Sequence, residues 1–162
     1  MTTDEFDFLC KLLRDRSGLV LTRDKAYLLE SRLLPVARKC DLKSVDELVA
    51  AVRMRPNSDL ARDVVEAMTT NESFFFRDIK PFEQFKSFVL PQLMKARATR
   101  RSIRIWSAAC SSGQEPYTLA MMLAEQQAML AGWNIDILAT DLSTEILEKA
   151  QAGLYSQFEV QR

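Results

Sequence analysis

The sequence contains no histidine. That absence rules out a Ser-His-Asp triad, a Cys-His pair and every imidazole metal ligand. Chemistry must come from carboxylates, amides, hydroxyls, lysine, arginine or a bound cofactor. No imidazole-based catalytic group and no histidine metal site is therefore expected. Cysteine is scarce: Cys10, Cys40 and Cys110 form an odd, scattered set without paired spacing, which predicts a reduced, cytoplasmic protein. Charge of one sign is lacking as well, with 22 basic residues against 22 acidic ones. General nucleic-acid binding, which needs a basic surplus to displace counterions, is not expected. No apolar run approaches the roughly 20 residues of a membrane-spanning helix, so membrane insertion is not expected either. The opening Met1-Thr2-Thr3-Asp4-Glu5 is acidic and has none of the features of a signal peptide. What the chain does have is enough apolar material for a core, 48% of 162 residues, in one full domain or two small ones.

The first 68 residues read as helices. Phe6, Leu9 and Leu13 share a face of a segment from Asp4 to Arg16 that stops before Ser17-Gly18. After the extended link Gly18-Leu19-Val20-Leu21, Thr22 is placed to cap a helix reaching Lys39, with Ala26, Leu29, Leu33, Val36 and Cys40 on its buried side. Pro35 lies inside that pattern and should bend it. Ser44 and Glu47 form a capping box for a third helix carrying Leu48, Ala51 and Val52, which ends near Arg55-Pro56. Asn57 or Ser58 can cap a fourth with Leu60, Val64, Val65 and Met68 inward. These short amphipathic helices need one another, which predicts a helical domain over 1–68.

A connecting region, 69–101, follows. Its Phe74-Phe75-Phe76 triplet cannot face one side of any regular element, so it is either a plug between domains or the lining of a pocket. Asp78 is placed to cap a helix containing Phe82, Phe85 and Phe88-Val89, restarted by Pro91. Lys95, Arg97, Arg100 and Arg101 read as a solvated basic linker.

From Ser102 the pattern changes to strand, tight turn, helix, strand, acid. Ile103, Ile105 and Ser107 alternate with Arg104, Trp106 and Ala108; the run breaks at Cys110-Ser111-Ser112-Gly113. Leu119, Met122, Leu123 and Met129 fall near one helical face, and Ile135 to Thr140 is β-prone and ends on Asp141. This is the opening βαβ unit of a doubly wound α/β fold, in which a turn and helix N-terminus meet a ligand and an acid accepts from ribose hydroxyls. The turn has one glycine where a dinucleotide site wants three, which favours S-adenosylmethionine over a nicotinamide cofactor. Pro116 behind Glu115 suits the first position, N1, of a helical turn. Glu115 reads as a complement to the helix dipole or as a partner for a ligand ammonium. Asp141 reads as the N-cap of the following helix or as the ribose acceptor. Asn71, Ser73 and Arg77 read as turn residues or as parts of a site. Thr144 to Ala150 forms a short helix stopped by Gly153. With two strands of a sheet that normally has more, the sequence reads as the first part of a longer protein, and its open sheet edge predicts a possible homodimer.

Three ordered stretches together are specific. They are Thr-Thr-Asn-x-Ser-Phe-Phe-Phe-Arg-Asp from Thr69, Trp-Ser-Ala-Ala-Cys-Ser-Ser-Gly-Gln-Glu-Pro-Tyr from Trp106, and Ala-Thr-Asp-Leu-Ser with its later Gly-x-Tyr from Ala139. Over essentially the whole chain the sequence resembles the chemotaxis receptor methyltransferase family, CheR. The resemblance implies an α-helical N-terminal domain followed by the first part of an α/β Rossmann-like S-adenosylmethionine-dependent methyltransferase domain, here 102–162.

The activity implied is methyl transfer from S-adenosylmethionine to glutamate side chains of methyl-accepting chemoreceptors. The resemblance assigns cofactor contacts to Asn71, Ser73, Arg77, Glu115 and Asp141. Arg77 would meet the cofactor carboxylate, Glu115 its ammonium and Asp141 its ribose. Ser73 stands where many relatives have threonine, and it keeps the hydroxyl. Substrate recognition in the family is attributed partly to basic residues of the second helix. Lys25, Arg32 and Lys39 recur every seven residues here with Arg38 further round, as a receptor-binding stripe or a solvated face. The rival reading is a non-catalytic module that binds receptors or another signalling partner.

Overall fold

The computed structural model describes residues 1–161. The chain forms two compact units, Met1–Thr70 and Asn71–Arg162.

The first unit is all helix: α1 (Thr3–Ser17), α2 (Ala26–Lys39), α3 (Val45–Met54) and α4 (Asp59–Ala67). Its core is Leu9 and Leu13 of α1, Leu29 and Leu33 of α2, Leu48, Val49 and Val52 of α3, and Val64 of α4, all essentially removed from water. The ends are set by local chemistry. Thr2 and Glu5 form a reciprocal capping box, and Gly18 closes α1 in the left-handed region at φ 74°. Ser58 caps α4 by accepting from the Ala61 N–H. Ser44 caps α3 through the Glu47 N–H, but the Glu47 carboxylate reaches back to the N–H of Lys43, one residue beyond the Ser44 N–H that the expected box would use. Thr22 makes no capping bond with its side chain: a 3-10 turn over Arg23–Lys25 intervenes before α2. On α2 the third buried position is Ala37, not Val36 or Cys40; Cys40 ends exposed at the C-cap.

The second unit begins with an irregular loop and a long interrupted helix, α5 (Ile79–Gln84) and α6 (Leu90–Ala96), joined by a π-helical turn over Phe85–Val89. The Leu90 N–H bonds to the Phe85 carbonyl five residues back. Pro91 accounts for this: it has no N–H and its ring crowds the carbonyl of Ser87, so the turn widens instead of breaking. Asp78 does not cap α5; it sits at φ 53° and its carboxylate makes no capping bond. Phe82 and Leu90 are buried, whereas Phe88 lies on the exposed side.

Strands β1 (Ser102–Ala108) and β2 (Asn134–Thr140) pair in parallel, Ser102 opposite Asn134 and Ala108 opposite Thr140, with α7 (Gln114–Glu125) as the crossover. Parallel pairing requires such a crossover. Ile103, Ile105, Ile135 and Ile137 face the helices together with Leu90, Leu123 and Leu130. Helix α7 ends at Glu125, so Met129 lies beyond it and is exposed, and Pro116 occupies its third position, not its first. After β2 come α8 (Thr144–Ala152) and a short α9 (Gln157–Val160), the latter with its own Ser156–Glu159 capping box. Among the described residues no helix is long and apolar enough to cross a membrane.

Candidate functional site

The turn between β1 and α7 is where the second unit departs most from ordinary backbone. Ala109, Ser111 and Gly113 alternate at φ 57°, 51° and 97°. The left-handed region costs a non-glycine residue roughly 1–2 kcal/mol, so two such residues two positions apart, Ala109 and Ser111, need restraint from outside. The end of β2 supplies it. The Cys110 N–H bonds to the Thr140 carbonyl at 2.9 Å, extending the parallel ladder, and the Ser111 N–H bonds to Asp141 Oδ2 at 2.8 Å. Cys110 is buried under the turn, and its thiol is pushed up, first by desolvation and then by the Asp141 carboxylate.

Asp141 is not the helix cap. Ser143 caps α8 by accepting from the Ile146 N–H, and Asp141 Oδ1 accepts from the Ser143 N–H at 3.0 Å. One oxygen of the carboxylate is thus held by the β1–α7 turn and the other by the β2–α8 loop. Each carboxylate oxygen has a second lone pair, so the group retains capacity for a pair of hydroxyl donors.

Glu115 is the second residue of α7 and lies at the surface, where the helix dipole favours a negative charge. Its Oε1 accepts from the Ser107 hydroxyl at 3.1 Å. Ser107 is 2% exposed and stands on the inward face of β1 in line with Ile103 and Ile105. Sequence reading did not single it out, although a hydroxyl at an apolar position of an alternating strand was the available signal.

The loop that opens the second unit docks on this turn. The Ser111 hydroxyl donates to the Asn71 carbonyl at 3.0 Å, and the Phe76 N–H donates to Thr118 Oγ1 at 3.1 Å. Thr118 is fully buried and itself donates to the Gln114 carbonyl. Phe75 packs edge-on against Tyr155, with ring centres 4.9 Å apart, so within this unit the aromatic triplet anchors the loop. Arg77 folds back on its own loop: its guanidinium donates to the Glu72 carbonyl at 2.9 Å and lies 6.0 Å from the Phe74 ring centre, leaving most of its donors facing solvent. Ser73 is half-buried in the same loop.

Asn71 and Asp141 are therefore joined through Ser111, and Glu115 is oriented from β1, all at the C-terminal ends of the parallel strands. That is where open α/β sheets bind ligands. An apolar pocket of about 480 Å³ between α7, β2 and α8 holds none of these polar residues, so the polar cluster defines the candidate site. Among the described residues no group of acidic or cysteine side chains is placed to hold a metal.

The basic residues of the first unit fall into two kinds. Lys25, Arg38 and Lys39 are exposed, and none has an acidic partner within ion-pair distance among the described residues. Arg32 is half-buried and engaged: it donates to the carbonyls of Met68 and Thr69 at 2.9 Å each and to the Thr70 hydroxyl at 3.3 Å. Its guanidinium caps the outgoing end of α4 and does not stand free in the stripe.

A helical unit followed by a βαβ unit with an acid at the tip of its second strand defines a nucleoside-cofactor-binding α/β protein preceded by an all-α domain. Residues 4–69 match the CheR methyltransferase all-alpha domain and residues 71–162 match the CheR methyltransferase SAM binding domain; the chain belongs to this family. It is similar to chemotaxis protein methyltransferase 1 of Pseudomonas aeruginosa, 44% identical over 93% of this chain and 56% of that protein. It is also similar to chemotaxis protein methyltransferase 1 of Vibrio cholerae, 40% identical over 100% of this chain and 58% of the relative. Chemotaxis protein methyltransferase Cher2 of Pseudomonas putida is 38% identical over 100% and 60% respectively. The chain thus spans a little over half the length of these relatives. The fold is the one the motifs implied, an all-α domain followed by the start of a methyltransferase domain whose methyl donor is S-adenosylmethionine.

Proposed function

We propose that the protein takes part in methyl transfer from S-adenosylmethionine to glutamate side chains of methyl-accepting chemoreceptors, giving glutamyl methyl esters in the cytoplasm. The observation that carries the cofactor reading is Asp141, fixed by backbone donors from both strand–helix loops with lone pairs left for a ribose diol. Glu115, oriented by Ser107, suits an ammonium; Arg77, with exposed donors, suits a carboxylate. Asn71, whose carbonyl accepts from the Ser111 hydroxyl, and Ser73 share the loop that carries Arg77 and are assigned to the same cofactor contact. When bound, the cofactor supplies a methyl group on an already activated sulfonium. An ionised glutamate is already a nucleophile, so the protein's task is alignment and exclusion of water, and a chain without histidine lacks nothing for it.

Receptor recognition is assigned to Lys25, Arg38 and Lys39, whose charges suit an acidic receptor helix, while Arg32 acts from beneath as an architectural clamp. Homodimerisation is not part of the reading, because an open strand edge favours no particular partner. A purely non-catalytic role is disfavoured by the match of the second unit to a SAM-binding domain.

The test is a calorimetric titration with S-adenosylhomocysteine. Saturable binding is expected for the chain, with affinity reduced more than about 100-fold in Asp141→Ala, which removes a charged acceptor and orphans two backbone donors. An unchanged affinity in the variant would remove Asp141 from the site. Absence of binding to the unsubstituted chain would overturn the cofactor reading.

A further inference from the structure

Two tyrosines and two glycines in the second unit interlock. The Tyr155 hydroxyl donates to the Ser112 carbonyl at 2.6 Å, and a Cβ on Gly113 would lie 2.9 Å from that same hydroxyl oxygen. The Tyr117 hydroxyl donates to the Ala150 carbonyl at 3.0 Å, and a Cβ on Gly153 would lie 2.9 Å from the Tyr117 oxygen. Each tyrosine oxygen occupies the space that a side chain on the opposite glycine would need, and both glycines have positive φ, 97° and 61°. The rings meet edge to face at 5.9 Å, and the Tyr155 ring also meets Phe75 edge-on.

We infer that this reciprocal tyrosine–glycine lock positions the cofactor turn, with Tyr155 as a positioning residue that acts through Ser112 and Phe75. The inference rests on the cofactor reading above and extends it to residues beyond β2 and α8. The physical need is the strained turn. Ala109 and Ser111 hold left-handed backbone so that the Ser111 N–H meets Asp141 and the Ser111 hydroxyl meets Asn71. Asp141 restrains the turn from one side. Tyr155 restrains it from the other, at the next carbonyl, and its ring carries Phe75 of the loop that bears Asn71 and Arg77. One side chain thus ties together the turn and the loop, through Ser112 and Phe75, which are 37 positions apart in sequence. Gly113 is required twice: its φ admits no ordinary side chain and its missing Cβ is the seat of the Tyr155 hydroxyl. Burial pushes the Tyr155 phenol up to about 12, so the donor stays protonated throughout the neutral range. The lock has no switch near neutrality and acts as a permanent clamp.

The test is Tyr155→Phe, which removes one oxygen and keeps the ring. Backbone hydrogen exchange is measured without ligand, so its result does not depend on whether the cofactor reading holds. The amides of Ser111 and Gly113 should exchange about five- to tenfold faster, with exchange elsewhere in the unit unchanged, and affinity for S-adenosylhomocysteine should fall by a similar factor. The companion Tyr117→Phe should accelerate exchange at Gly153 and leave Ser111 unchanged. Unaltered exchange at Ser111 and Gly113 in Tyr155→Phe would overturn the inference. So would a uniform acceleration across the whole unit, which would mark a merely structural role. If the turn loosens as expected but neither chain binds S-adenosylhomocysteine, the lock stands and the cofactor reading falls.

Discussion

The helical unit and the methyltransferase unit solve the problem of burial differently. In the helical unit four short helices enclose a continuous core, and the large side chains at its centre, Leu9, Leu13, Leu29, Leu33 and Leu48, are completely buried. In the methyltransferase unit the buried cluster is small, Leu90, Ile103, Leu123 and Leu130, and it lies on one side of the sheet. The opposite face leaves Trp106 and Leu138 at 69% and 55% exposure, opposite one another across the strands. An amphipathic helix has one stripe to hide and neighbours can hide it, whereas a parallel sheet has two apolar faces and needs layers on both. The second unit is held instead by polar chemistry: Asp141, Ser107, Thr118 and Tyr155 each fix a backbone or side-chain group near the strand ends. Packing stabilises the first unit; hydrogen bonds give the second its shape where the site lies.

Truncating one large side chain in each unit would break this comparison most directly. Leu33→Ala should destabilise the helical unit by about 2–5 kcal/mol in urea unfolding, because the cavity forms in a sealed core. Trp106→Ala should change stability far less, within roughly 0.5–1.5 kcal/mol, since the ring is mostly exposed and loses chiefly its 2.9 Å bond to the Thr140 hydroxyl. Comparable losses at both positions would show that the Trp106 face is covered in solution.

Arg32→Ala sharpens the boundary between packing and polar restraint within the helical unit itself. Losing the charged donor to two carbonyls should cost roughly 1.5–3 kcal/mol, while Lys39→Ala, from an exposed side chain, should leave the unfolding midpoint unchanged. An unfolding curve for Arg32→Ala that overlays the original would return Arg32 to the exposed stripe.

The smallest effect is electrostatic and local. The Thr2 backbone N–H, and then the Thr2 hydroxyl, hold the Glu5 carboxyl below its usual value. A depressed acid contributes stability that is present above its ordinary pKa and is lost as pH falls through the lower folded value. Acidification through that lowered value should therefore fray the first turn of α1, seen as smaller protection factors of the Thr2 and Glu5 amides once the intrinsic pH dependence of exchange is divided out. In Glu5→Gln the protection factors of the same two amides should not change with pH.

The sequence was most legible where structure is local. The periods of Phe6–Leu9–Leu13 and Leu29–Leu33, the caps at Ser44 and Ser58 and the stop at Gly18 each depend on residues within about one helical turn. The strand–turn–helix–strand order needed only the change of period at Ser102, and the motif residues marked the family. Errors cluster where a neighbour far along the chain decides. Asp78 has the composition of a cap and the backbone of a left-handed turn. Cys40 continues an apolar spacing but falls past the last buried turn, where Ala37 already fills the contact.

What the sequence determined by itself was the inventory: no imidazole, hence no triad or histidine metal site; four amphipathic helices; one acid-tipped βαβ unit; and motifs specific enough to name a family. What the tertiary structure decided was the allocation of those groups. It assigned Arg32 to the end of α4, Asp141 to two loops at once, Ser107 to Glu115, and Tyr155 to a carbonyl more than 40 residues earlier in the chain. The physical reason is range. Helix periodicity and capping act over three or four residues and are written in adjacent letters, but a side chain's hydrogen-bond partner is whichever group the folded backbone brings within about 3 Å.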